Sequence, residues 1–418
     1  MAEINNNAIT GQERQCPAGY KNCDGYIIPN EWSVVRFSSL FKRLTRKNAE
    51  NNQNVLTISA QQGLVSQMDY YNTLYASENK EGYSLLRKGD FSYNKSYSSD
   101  YAYGAIKRLD AYDSGIVSPL YICFTPQDGT NSDFYLQYFE AGHFNREIYK
   151  IAQEGARNHG LLNVSTEDFF NSSLVFPPLA EQERIAEILM QCDKVIKLKQ
   201  KRIEEEKKKK KWLMQSLFDT LSLEYPQERI DKLTQYIDYR GKTPQKSTSG
   251  IFLVTAKNIK MGHIDYDASQ EYVAPENYEH VMQRGKPRLG DVVITTEAPC
   301  GNVAQIDNPE IALAQRVILL RAKGSITNEY LCLYLQSDMF QKQLRVLQTG
   351  LTAQGIKGAT LHRMSISVPT ITYQNKICAI VSQQNRLLRN LENELDFYKK
   401  KKNALMQLLL TGIVRTKA

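Results

Sequence analysis

The 418-residue sequence has little of what reactive sites are made from. Its seven cysteines, at positions 16, 23, 123, 192, 300, 332 and 378, are odd in number and scattered, and none forms a CxxC pair. Its five histidines show no ligand spacing. A disulfide framework and a zinc site are therefore not expected, and a reducing, cytoplasmic compartment is. No run of about 18 apolar residues occurs, so no membrane-spanning helix is expected. The start, MAEINNNAIT, lacks the basic and apolar regions of a signal peptide. Gly241-Lys242-Thr243 looks like the end of a phosphate-binding loop, but the glycine that should precede it falls on Tyr236. A turn before a strand is the plainer reading. No FxGxG-like cofactor loop and no Asn/Asp-Pro-Pro-Tyr/Phe motif is present, which argues against a built-in adenine methyltransferase. Asp291 and Glu297 flank a strand as in some nucleases, but Pro299 and Cys300 stand where a lysine is needed. They read as structural, and no catalytic residue is expected.

One further absence is constructive. Neither glycine nor proline occurs in 179–220 or in 371–411, and these two stretches are copies of one another. PPLAEQERIAEILMQC, beginning at Pro177, aligns with PTITYQNKICAIVSQQ, beginning at Pro369, and the register holds without a gap to the lysine runs and the Leu-Met-Gln triplets at 213–215 and 405–407. In the second copy Ile377, Val381, Leu388, Leu391, Leu395, Tyr398, Leu405 and Leu409 fall on alternating steps of four and three, with Gln384 and Lys402 as polar breaks. That is a heptad stripe. The first copy keeps Ile185, Leu189, Cys192, Ile196, Ile203, Leu213 and Leu217 but places Lys199, Glu206 and Lys210 on the stripe. Some 40 residues at ~1.5 Å each make a rod of roughly 60 Å. A lone rod cannot bury its stripe, so the two copies are expected to pack together. With a globular segment between them, antiparallel pairing is the simple arrangement; the alternative is that each helix packs on its own domain.

The segments before each rod also match. VLTISAQQ at 55–62 sits on IFLVTAKN at 251–258, and both are β-branched, apolar strand patterns. Leu86-Arg87-Lys88-Gly89-Asp90 parallels Pro287-Arg288-Leu289-Gly290-Asp291, and the helical pattern at 134–151 parallels 329–346. Both segments close on paired glycines, GARNHG and GLTAQG. The offsets vary, so loops of different length sit on one scaffold. The chain reads as a repeated unit, globular α/β domain then long helix, with segments 1–176, 177–222, 223–368 and 369–418.

The net charge of +8 invites a nucleic-acid reading, but its distribution tempers it. The first 180 residues hold 16 Lys/Arg against 19 Asp/Glu, whereas 369–418 hold 9 against 3. The excess lies largely on the last helix, so a DNA site on the first domain has to be a local basic face. The lysine runs at 207–211 and 399–402 read first as solvated helical ion pairs, since Glu204, Glu205 and Glu206 precede Lys208, Lys209 and Lys210 by four. Contact with phosphates is the alternative.

The helix start PPLAEQERIAEIL, its weaker partner VPTITYQNKICAIV, the ends LMQSLF and LMQLLLTGIVR, RGKTP at 240–244, the two Gly-Asp strand starts and the Gly-rich loops together resemble the specificity (S) subunits of type I restriction–modification enzymes, over nearly the whole chain. The resemblance implies two target recognition domains of mixed α/β fold, each reading half of a bipartite double-stranded DNA target. It implies an antiparallel coiled coil that sets their separation, two methyltransferase (M) subunits docked on it, restriction/translocase (R) subunits, and a bacterial or archaeal host. S-adenosylmethionine, ATP and magnesium would belong to those partners and not to this non-catalytic chain. The first domain departs from the pattern, with Leu44-Thr45-Arg46-Lys47-Asn48 in place of RGKTP.

Amide and basic side chains in equivalent loops are the DNA-facing candidates: Gln and Asn suit adenine, and Lys and Arg suit guanine or phosphate. They are Arg43, Arg46, Lys47, Gln61, Gln62, Arg157 and Asn158 in the first domain. In the second they are Arg240, Lys242, Lys246, Lys257, Asn258, Arg316, Gln354 and Lys357. Leu213, Met214, Leu405 and Met406 are candidates for the methyltransferase-docking surface or for the helix seam beneath it. A coiled-coil scaffold whose duplicated domains bind protein is the competing reading.

Overall fold

The structure, a computed structural model, describes residues 16–59, 63–73, 79–96, 101–152, 161–239, 244–350 and 354–416. The chain divides into two compact units: Met1–Leu198 with Leu395–Ala418 (unit 1), and Lys199–Glu394 (unit 2). Each unit holds one globular α/β domain and a part of both long helices, α1 (Leu179–Glu224) and α2 (Ile371–Leu409). This differs from segments in which each helix stands whole as a spacer. The cause is burial. Ile185, Ala186 and Leu189 of α1 share the unit 1 core with Met406 and Leu409 of α2 and with Leu410. Phe218 and Leu221 of α1 share the unit 2 core with Ile377, Cys378 and Val381 of α2.

The two domains repeat one topology. In unit 1 a four-stranded antiparallel sheet runs Phe41–Arg43, Ile122–Pro126, Phe91–Asn94, Ala105–Arg108 across its width. In unit 2 the same order is Thr234–Asp238, Val317–Ala322, Val292–Thr296, Cys300–Gln305. The unit 1 core is aromatic, with Phe37, Phe41, Phe91, Phe124, Phe139 and Phe169 in mutual ring contact. The unit 2 sheet is filled instead by Val292, Ile294, Ile318 and Leu320 on one face and Ile237, Val293 and Leu319 on the other.

The Gly-Asp pairs open equivalent strands in the same way. Gly89 and Gly290 take φ of +94° and +81°. The buried carboxylates of Asp90 and Asp291 then accept the backbone N–H three residues back, from Arg87 at 2.7 Å and Arg288 at 2.8 Å. A second arginine neutralises each: Arg46 for Asp90, and Arg321 for Asp291 at 2.6 and 2.8 Å. The structural reading of Asp291 thus stands.

The matched helix starts also have one mechanism. Gln182 and Gln374 are both fully buried. Each donates to the carbonyl five residues back, Pro177 and Pro369, at 2.8 Å. Each also accepts a backbone N–H from its own domain, Asn131 at 3.1 Å and Thr327 at 2.9 Å. One side chain therefore fixes helix to domain in both units.

Within each unit the helix parts run antiparallel. In unit 1 Lys402 bonds Asp193 at 2.6 Å. In unit 2 Lys199 bonds Glu394 at 2.7 Å, and Gln384 donates to Glu206 at 2.7 Å. Four of the polar breaks in the two stripes, Lys402, Lys199, Gln384 and Glu206, find polar partners across the seam. After Leu409 the chain turns, with Gly412 at φ +73°, where a Cβ would lie 2.5 Å from Cγ of Pro29. Arg415 then binds Glu181 at 2.8 Å and Glu31 at 2.7 Å. The hairpin Tyr20–Cys23/Tyr26–Pro29, which has no counterpart among the described residues of unit 2, and the fully buried Trp32 complete this corner.

Candidate nucleic-acid interface

Strand ends and the loops beyond them place the predicted DNA-facing residues. In unit 2 three elements meet at the end of strand Val292–Thr296. Thr296 N–H donates to the Arg316 carbonyl at 2.9 Å, and Ile356 N–H donates to the Thr296 carbonyl at 3.0 Å. Glu297 forms a bridge with Gly355, and Thr349 and Gly355 exchange backbone hydrogen bonds at 2.9 and 3.0 Å. Arg316, Gln354 and Lys357 are thereby gathered on neighbouring turns. Arg316 holds a left-handed φ of +77°, uncommon for a side chain of that size, and is half exposed with Glu297 at 3.5 Å. Such strain concentrates where a side chain is aimed at a partner. Gln354 and Lys357 are exposed. Lys257 is exposed on the turn after Ile251–Val254, and Ala314, two residues before Arg316, bonds back to Val254 at 3.0 Å. Lys246 is exposed but engaged with Glu271 at 2.9 Å.

Two candidates have other work. Asn258 is fully buried; its Oδ1 accepts from Thr255 N and Oγ1, and its Nδ2 donates to the Asp265 and Ser269 carbonyls. All its polar capacity is spent on its own turn, so it is no base reader in this conformation. Arg46 is the counter-ion of buried Asp90. Its place in the sequence, where unit 2 has RGKTP, hid that the equivalent pairing to Asp291 comes from Arg321. Arg43 ends its strand exposed, and Lys47 is exposed while reaching the Gly82 carbonyl at 3.0 Å. Gln61, Gln62, Arg157, Asn158, Arg240 and Lys242 lie outside the described residues.

Three of the four apolar helix-end candidates pack against the domain cores. Met406 is buried in the unit 1 core and Leu405 packs against it; Met214 packs against the unit 2 core, and Leu213 is half-buried. Among the open apolar side chains on the helices are Leu198, Trp212 and Phe397, exposed by 59%, 68% and 61%. Sequence reasoning missed them because they fall between stripe positions.

Burial pushes the thiols of Cys123 and Cys378 up to about 11 and that of Cys332 up to about 12, so they stay protonated. Among the described residues no group of three or more His, Cys, Asp or Glu could hold a metal ion, and no helix is long and apolar enough to cross a membrane. The arrangement suits contact with an anionic polymer: half-exposed cations and amides on turns, held by a rigid sheet.

The model of the family described as the type I restriction modification DNA specificity domain matches residues 29–208 and 241–396. The type I restriction enzyme MjaVIII specificity subunit of Methanocaldococcus jannaschii is 24% identical over 434 residues, covering 95% of this chain and 96% of the relative. The putative MjaX specificity subunit of the same organism is 23% identical and covers 70% of each. A chain from a structural study of complex assembly and conformational transition in the type I restriction–modification system covers 93% of this chain and the whole of itself, with a TM-score of 0.58 and 17% identity. The S subunit of M. genitalium covers 90% of this chain and 96% of itself, with a TM-score of 0.51 and 14% identity.

Proposed function

Because this chain belongs to the type I restriction–modification DNA specificity family, we propose that its two units read the two halves of a bipartite duplex target. A specificity subunit is the recognition component and not a catalytic one. Unit 1 reads one half-site and unit 2 the other. Arg316, Gln354, Lys357 and Lys257 stand at the unit 2 contact, and Arg43 and Lys47 at that of unit 1. Two methyltransferase subunits dock along the helices, where Trp212 and Phe397 are open, and supply S-adenosylmethionine for adenine methylation. Restriction/translocase subunits supply ATP-dependent cleavage with magnesium.

The observation that carries this reading is the repeated sheet with different loops. Strand order, the Gly-Asp turn and the glutamine at the helix start are common to both units. The loop side chains differ, as two readers of unlike half-sites require.

Mapping methylated adenines in the host genome with and without the gene tests it. The expected result is a two-part motif with a fixed, unread spacer that vanishes with the gene. Arg316→Ala should relax one half-site only, costing about 1–3 kcal/mol of discrimination if it reads a base, or weaken all sites uniformly if it holds a phosphate. A genome whose adenine methylation is unaltered by loss of the gene would defeat the proposal.

A further inference from the structure

The internal repeat allows one groove to be compared with its own copy. In each unit a cleft opens between the helix pair and the sheet, of about 400 Å³ in unit 1 and about 730 Å³ in unit 2. The unit 1 cleft is internally neutral. Lys402 bonds Asp193 at 2.6 Å, Lys107 bonds Glu140 at 2.5 Å, and Arg108 bonds Asp110 at 2.8 Å and Asp133 at 2.7 Å. Gln137 adds a second donor to Asp193 at 2.8 Å.

The unit 2 cleft carries a different set of charges, Lys207, Lys210 and Arg389 against Glu329 and Glu392, which leaves one cation in excess. By the 192-residue correspondence of the helices, Lys402 becomes Lys210 and Asp193 becomes Asn385, and both line the cleft. Among the described residues no carboxylate oxygen lies within 4.0 Å of the Lys210 ammonium. Glu392, the acid closest in influence, is bonded to Lys207 at 3.2 Å. Arg389 and His263 add further donors to the same walls. Burial pushes the Lys210 pKa below its ordinary value, and Glu392 opposes this only in part. A half-buried ammonium without a counter-ion is costly and is relieved by an anion.

We propose that the unit 2 cleft is an oxyanion site for phosphate, liganded by Lys210 and Arg389, and that Asp193 is the built-in anion filling the counterpart site in unit 1. The phosphate is either a free phosphate or phosphate ester, or a backbone phosphate of the DNA; only this second source rests on the DNA-reading function.

The test uses the full chain and inorganic phosphate. Thermal midpoints are measured in potassium phosphate and in potassium chloride of equal ionic strength. Wild type should gain about 2–4 °C in phosphate at roughly ten times its dissociation constant. Asn385→Asp should remove the gain, and Asp193→Asn should add a second, saturable one. Absence of a phosphate-specific gain in wild type, or its persistence in Asn385→Asp, overturns the site. Failure of Asp193→Asn to add binding overturns the role of Asp193. The source is settled by Lys210→Met in the assembled complex. A salt slope of duplex binding shallower by about 0.9 assigns the site to DNA. An unchanged slope with the thermal gain lost assigns it to free phosphate or a phosphate ester. The thermal measurement contains no DNA, so failure of the DNA-reading function leaves it intact.

Discussion

Glu181 shows what one buried carboxylate does at the joint between helix and tail. It is 4% exposed and accepts from Trp32 Nε1 at 2.8 Å and from Arg415 at 2.8 and 2.9 Å. Burial alone would raise its pKa, but the Arg415 and Trp32 bonds outweigh it and hold the carboxyl below its usual range. A depressed folded pKa stabilises the fold above the unfolded value, about 4.3, and this is lost as pH falls through the folded one. Glu181→Gln should therefore cost about 3 kcal/mol near neutrality, the low end for buried pairs, because Arg415 keeps Glu31 and some water. Its thermal midpoint should converge with that of wild type as pH drops below about 4; curves that stay parallel to pH 3 would contradict this role. None of it was legible in the sequence, since Glu181 and Arg415 are 234 residues apart and only folding introduces them. Residue identity also misled at Asn258 and Arg46. An asparagine after a strand can bond its own turn or a base, and an arginine can neutralise a buried aspartate or meet DNA; spacing does not distinguish the two. The paired Gln182 and Gln374 were legible as matches, though their bonds to domain and helix were not.

At the scale of elements the heptad stripe was legible because burial follows period, and the Gly-Asp strand starts were legible because only a left-handed residue followed by a backbone-bonding acid makes that turn. The allotment of helix parts was not, because a stripe says that a face is buried and not by what. The seam pairs now refine what self-pairing of α1 would bring. A chain ending near Thr220 keeps the unit 1 domain and α1, and a second copy of α1 can stand in for α2. The second copy's Met214, Leu217 and Phe218 would take the places of Met406, Leu409 and Leu410. Asp193 would meet Lys210 in place of Lys402, but Glu206 would face Cys192 rather than Gln384, and Lys199 would meet Arg202 rather than Glu394. Glu181 would also lose Arg415. The truncated chain should homodimerise more weakly than the helices pair in the full chain. Arg202→Glu should restore an attractive contact at both ends of the dimer, tightening it by about 0.5–2 kcal/mol in total. Sedimentation equilibrium reads the change directly; an Arg202→Glu dimer no tighter than its parent would show that these charges do not choose the partner.

For the whole molecule, the proposed bipartite reading assigns the continuous helices the role of a ruler, since α1 and α2 each contribute residues to both units. If they set the distance between the reading units, their length sets the spacer of the target. One heptad inserted after Arg202 and one after Glu394 alters equivalent positions by the 192-residue correspondence. A whole repeat keeps the apolar stripe in phase, and both insertions lie away from the buried ends at Ile185, Leu189, Phe218, Leu221, Ile377, Val381, Met406 and Leu409. Seven residues add ~10 Å of helix, about three base pairs at ~3.4 Å per step. The half-sites should be unchanged, because no residue of either sheet or its loops is altered. The spacer should lengthen by about three base pairs, and affinity should fall, because three steps also turn the duplex by roughly a quarter turn or more at about ten pairs per turn. The polar seam pairs locate the expected damage. Asp193–Lys402 lies on the unit 1 side of both insertions and Glu206–Gln384 on the unit 2 side, so both pairs keep register together only if both helices are lengthened, whereas Lys199–Glu394 falls between the insertions and is lost; lengthening one helix alone should abolish assembly and not shift the spacer. Methylation of a plasmid library by the complex carrying the doubly lengthened subunit reads both quantities at once. An active variant that keeps the original spacer would show that something other than helix length measures the target.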